Sequence, residues 1–204
     1  MANEIQKSQI VLANPTGLGL FGLAMVTMVA ASQKLGWTVG LSYVIVYAMF
    51  LGATAQLIAS IFDFFHNNIW GATVFGAYAF FWYAIATCWM IKMGVFGQAL
   101  AAATDVGQIG WAFTGYFIFS VFMTIGAMEV NKVIFTIMTL ICVLLGALAL
   151  NAFGIAAHAT HAIAAWTELA ISLVTFYACS AVVLNTHFGR VFMPMGKPFG
   201  IFKK

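Results

Sequence analysis

The sequence predicts an all-α membrane protein of six transmembrane helices, with a Gly/Pro-modified start to the first. Three observations carry that expectation. The chain of 204 residues is 64% hydrophobic and 6% charged, with a mean hydropathy of +1.03, whereas soluble domains carry about a quarter charged residues. Its apolar residues fall in six long stretches, each near the roughly 20 residues that carry a helix across an apolar core about 30 Å thick. The runs are continuous, without the period-2 alternation of a transmembrane β-barrel.

The stretches lie near Leu18 to Leu35, Thr38 to Phe62, Ile69 to Ile91, Gly107 to Met128, Val133 to Phe153 and Ile163 to Leu184. Residues 1–13 then form an N-terminal tail, 14–188 the membrane domain and 189–204 a basic C-terminal tail. Lys7, Lys132, Arg190, Lys197, Lys203 and Lys204 fall on one side of such a bundle, and Lys34 and Lys92 on the other. That bias predicts cytoplasmic termini for a multi-pass protein of the cell membrane. The net charge of +3 therefore describes flanking anchors and does not point to nucleic acid. Trp37, Trp70, Trp89 and Trp111 fall near helix ends, as in an interfacial aromatic belt. Val29-Ala30-Ala31-Ser32 loosely imitates a signal-peptide cleavage site, but Glu4 and the Asn14-Pro15 pair argue for a retained first helix.

That helix opens with Asn14-Pro15-Thr16-Gly17-Leu18-Gly19-Leu20. Asn favours the N-cap, Pro the first helical position, and the two glycines let the backbone bend. Free N–H groups at such a start carry about half a positive charge and suit a small anion. Small residues at close spacing, Gly36 and Gly40, Ala55 and Ala59, Ala72 and Gly76, and Gly107, Gly110 and Gly115, predict close helix packing.

Polar residues inside the spans are mostly neutral, which suits a weakly held carboxylate. Gln56 and Asn151 stand out, because an amide is harder to satisfy within its own helix than a hydroxyl; each serves as helix glue or as a substrate contact. Glu168 is the one carboxylate inside an expected span. It is a candidate for proton coupling, or a partly solvated or hydrogen-bonded group near one face. His158 and His161 form an H-x-x-H spacing without a third ligand nearby, so a cap role is expected rather than a metal site. Cys88, Cys142 and Cys179 read as small apolar packers rather than a disulfide framework. A G-x-S-x-G elbow, an H-E-x-x-H pair and a mid-helix lysine for retinal are all missing. Enzymatic and light-sensing readings fall behind transport, and no cofactor is expected.

The Asn14 to Leu20 segment resembles the N-P-x-P-L-G-L signature of the acetate uptake transporter family, the succinate-acetate permeases. Ala55-Gln56, Ala77-Tyr78 through Phe81-Trp82, Phe122-Met123 with Gly126, and Leu184-Asn185 through Phe188-Gly189-Arg190 also look like that family. The resemblance implies a six-helix protomer, a homo-hexamer and a separate path in each protomer for acetate and, in some members, succinate. It also implies a hydrophobic constriction at Leu23, Tyr78 and Ile141, where the Tyr hydroxyl offers a hydrogen bond to the passing carboxylate. Asn14, Pro15, Gly17, Leu18, Gly19 and Leu20 would line the path beside it, with Gln56 and Asn151. The chain departs from the family at Gly17, which replaces the second Pro, at Leu23, where familiar members carry Phe, and at Glu168, where they carry a small residue.

The reading is a channel-like path for small monocarboxylates, acetate first and possibly succinate. Proton-coupled symport is the alternative mechanism, and a non-transporting membrane receptor or scaffold is the alternative of another class.

Overall fold

The computed structural model describes residues 12–202. Glu4, Lys7, Lys203 and Lys204 lie outside them. Among the described residues, six helices are long and apolar enough to cross a membrane: Thr16–Lys34, Ser42–Phe65, Ile69–Lys92, Val106–Ala127, Lys132–Ala152 and Ala157–Phe188. They are numbered first to sixth here, and one short helix, Gln98–Ala102, joins the third to the fourth.

Neighbours close a ring. The first helix packs on the sixth and the second, the second on the third, the fourth on the fifth and the fifth on the sixth, while the third and fourth touch more lightly. Hydrogen bonds stitch that lighter seam. Tyr116 Oη donates to Ala77 O at 3.0 Å, Trp70 Nε1 donates to Met123 O at 3.1 Å, and Tyr78 Oη meets Ser120 Oγ at 2.7 Å.

Two helix starts differ most from the sequence expectation, and the second helix runs on past Phe62 to Phe65, which brings Asp63 inside it. The second helix starts at Ser42, because Gly36 and Gly40 take φ of +73° and +82° in the preceding turn. They are turn residues, not helix-packing residues, since a left-handed backbone is cheap only for glycine. The sixth helix starts at Ala157 and runs 32 residues, about 48 Å at 1.5 Å per residue, longer than the apolar core of a bilayer. His158 and His161 therefore lie on that helix.

The second helix is π-helical over Ala48–Ala55, where Thr54 Oγ1 donates to Met49 O at 2.8 Å. A π-bulge of this kind often marks a functional region. The tryptophan belt is half realised. Trp37 and Trp111 are exposed, whereas Trp70 and Trp89 turn inward. The C-terminal tail is strapped down rather than free. Asn185 Oδ1 accepts from Phe192 N at 2.7 Å and Met193 N at 2.8 Å, and Glu129 Oε1 accepts from Ile201 N at 2.8 Å.

Candidate functional site

Two cavities lie inside the ring. One, of about 190 Å³, is lined by Thr27, Lys34, Trp89, Leu148 and Glu168 among others. The second, of about 140 Å³, is lined by Thr16, Gln56, Asp63, Asn68 and Ile134 among others. Leu23, Tyr78 and Ile141 wall both cavities. These three come from the first, third and fifth helices, and their exposures are 7%, 5% and 5%. The three residues that the resemblance brings to one constriction thus sit together, between the two spaces.

Local packing fixes the first two of them. Gly22, next to Leu23, lies so close to the Leu51 carbonyl and Ala55 Cβ of the π-helical segment that no side chain fits there. The Tyr78 ring stacks on Tyr116 at 6.3 Å and meets Phe119 edge-on at 6.1 Å. Ser120 Oγ donates to Tyr116 O at 2.6 Å. With that proton committed, Tyr78 must donate in its 2.7 Å bond to Ser120. Its one proton is then committed to Ser120, so the hydrogen bond expected for a carboxylate is already used.

The Glu168 cavity holds an ion pair. Lys34 Nζ lies 2.8 Å from Glu168 Oε2, with side-chain exposures of 17% and 2%. Glu168 is the twelfth residue of the sixth helix, about 16 Å from its start. It is buried and paired, not partly solvated. His161 Nε2–H donates to the Lys34 carbonyl at 3.0 Å, fixing the end of the first helix.

The Asp63 cavity holds a different set. Asp63 is 2% exposed; its Oδ1 accepts from Asn68 Nδ2 at 3.1 Å, and its Oδ2 has no partner among the described residues. Asn68 Oδ1 accepts from Gly71 N at 3.2 Å, capping the third helix. Gln56 Nε2 donates to Gly52 O at 2.7 Å, and its Oε1 has no partner among the described residues.

The start of the first helix is capped where its residues suggest. Pro15 has φ −78° and ψ −12°, and Asn14 Oδ1 accepts from Thr16 N at 2.9 Å. Thr16 and Leu20 reach the Asp63 cavity, whereas Asn14, Pro15, Gly17, Leu18 and Gly19 line neither cavity. Gly17 and Gly19 lie inside the unbroken first helix. They make room for Val183 and the Phe75 ring, respectively. Leu18 is exposed on the outer face. Asn151 also lies outside both cavities, with Nδ2 donating to Ala157 O at 2.7 Å across the turn into the sixth helix.

Lys34, Asp63 and Ser120 were not singled out from sequence. Lys34 reads as an interfacial anchor at a helix end, and Asp63 falls one residue past the expected end of the second span. A signal for the first existed: a lone buried carboxylate needs a cation, and Lys34 is the basic residue at the matching end of the first helix.

The GPR1/FUN34/yaaH family profile matches residues 2–196. The succinate-acetate/proton symporter SatP of Escherichia coli K12 is 28% identical over 187 residues, covering 91% of this chain and 96% of that protein. The ammonia transport outward protein 2 of Saccharomyces cerevisiae is 27% identical over 135 residues, covering 64% of this chain and 48% of that protein. A solved structure, that of the bacterial acetate channel SatP, superposes with a TM-score of 0.83 at 28% identity, covering 91% of this chain and all of that one. With the family profile and the shared fold both running nearly end to end, this chain belongs to the GPR1/FUN34/yaaH family.

Proposed function

We propose that the chain is a membrane conduit for small monocarboxylates, acetate first, that moves its substrate chemically unchanged. One observation carries this reading: two internal cavities meet at the apolar trio Leu23, Tyr78 and Ile141. Such a constriction blocks hydrated ions by dewetting yet tolerates a methyl group. Thr16, Leu20 and Gln56 belong to the path on the Asp63 side. Asn14, Pro15, Gly17, Leu18 and Gly19 support it by building and seating the helix start. The likeness to a protein named as an acetate channel and to one named as a succinate-acetate/proton symporter supports acetate as the substrate.

One feature favours proton symport as the second reading. Buried carboxylates, Asp63 and Glu168, flank the trio from opposite cavities, and carboxylates inside membrane helices commonly serve as proton relays. Both termini lie on the cytoplasmic side of the cell membrane in this proposal, following the basic residues. The protomers assemble as a hexamer through the outward face of the fourth helix, where Ile118 and Phe122 are 53% and 62% exposed.

The test is acetate flux into proteoliposomes at several membrane potentials, with and without an imposed proton gradient and corrected for leak through empty vesicles. Flux that stops at electrochemical equilibrium is the expected result. Accumulation beyond equilibrium under a proton gradient would move the reading to symport, and flux no faster than leak would overturn both.

A further inference from the structure

We infer that Lys34 is an anion-docking group in the Glu168 cavity and that Glu168 is its tethered occupant, a carboxylate of the protein itself standing where a substrate carboxylate docks. The inference rests on the monocarboxylate reading above. Lys34 Nζ is held at 2.8 Å by Glu168 Oε2, and both side chains line the same cavity, which Tyr78, Leu23 and Ile141 close on its other side. Lys34 is the last residue of the first helix, where the partial negative charge of the helix end favours a cation. Its backbone is pinned by His161, so the ammonium approaches the cavity from a fixed point.

The chemistry follows from charge. An ammonium in a low-dielectric cavity without a partner would hold a small anion too tightly for a conduit, which must release what it binds. Glu168 supplies that partner when the cavity is empty. An entering monocarboxylate competes with it for Nζ and, once docked, faces the displaced carboxylate, so binding is weak and release fast. A dicarboxylate brings a second negative charge toward Glu168 and is disfavoured further.

Two readouts on the full-length protein test this: binding of ¹³C-acetate to the purified protein by NMR titration, and saturable acetate flux in proteoliposomes. Glu168→Gln removes the competing charge while keeping shape. It should tighten acetate binding by about tenfold or more and lower maximal flux, because release slows. A merely structural ion pair would give unchanged or weaker binding on the same substitution, and either result overturns the inference. The double variant Lys34→Gln/Glu168→Gln leaves no unpaired charge and serves where the single variant does not fold. It should bind acetate more weakly than wild type, and wild-type affinity in it would overturn the inference. A wild-type protein that binds acetate but moves none tells against the conduit reading and leaves the docking test standing.

Discussion

The Tyr78 hydroxyl is bonded to Ser120 Oγ at 2.7 Å, and Ser120 in turn donates to the Tyr116 carbonyl at 2.6 Å. This chain of donors ties the third helix to the fourth at the level where the two cavities meet. The hydroxyl therefore orients the ring more than it greets a substrate. Tyr78→Phe should keep acetate flux within about threefold of wild type and cost about 1 kcal/mol of stability, the net worth of one hydrogen bond. Ser120→Ala frees the Tyr78 proton and should instead tighten apparent acetate affinity. A Tyr78→Phe protein with flux at the leak level would show that the hydroxyl does contact the substrate.

Leu23 decides how wide the meeting point is. Leu23→Ala removes one wall shared by the two cavities, so larger monocarboxylates such as butyrate should gain several-fold in flux relative to acetate. The stability cost is about 2 to 5 kcal/mol, as for buried Leu→Ala changes elsewhere. Leu23→Phe should act in the opposite direction. Relative fluxes in the same proteoliposomes read both, and an unchanged butyrate to acetate ratio in Leu23→Ala would place the selecting step elsewhere.

Residue pattern carried the fold a long way. Six apolar runs became six helices because a span must satisfy its own backbone, and the bounds moved most at the start of the second helix, behind Gly36 and Gly40, and at the early start of the sixth. Composition did not reach the cavity. Lys34 reads as an interfacial anchor until the sixth helix is known to lie beside the first, and Asp63 reads as a loop residue until the second helix is known to reach Phe65. The pairing of Lys34 with Glu168 spans 134 residues, beyond the range of any periodicity. Leu23, Tyr78 and Ile141 are ordinary core residues by pattern alone, and only the resemblance singled them out together.

Gly22 sets the distance between the first two helices. A Cβ there would collide with the Leu51 carbonyl and stand 3.0 Å from Ala55 Cβ, and backbone cannot swing aside as a flexible side chain can. Gly22→Ala should cost about 2 kcal/mol or more through overpacking, seen as a lower unfolding midpoint in detergent. Gly146 is the control, because its nearest neighbour is the Phe117 ring at 3.6 Å. Gly146→Ala should be neutral or slightly stabilising, given the helix preference for Ala. Equal losses at both positions would mean that helix spacing is not what Gly22 provides.

His66 links the end of the second helix to the chain before the first. Its Nδ1 lies 2.8 Å from Phe62 O and its Nε2 3.2 Å from Leu12 O. A neutral imidazole can donate to only one of these carbonyls, whereas the imidazolium donates to both. The Phe62 carbonyl first, and then that of Leu12, raise the His66 pKa above the ordinary 6.5. A raised pKa in the folded protein means that the charged form is the stabilising one. The tether is complete below pH 6.5 and is lost as pH rises through the elevated value. NMR titration of His66 should therefore give a midpoint above 6.5. Amide exchange at Asn14 and Thr16 should quicken over the same interval, and His66→Gln should flatten that pH dependence. A midpoint at or below 6.5 would mean that the two carbonyls do not hold the ring in its charged form.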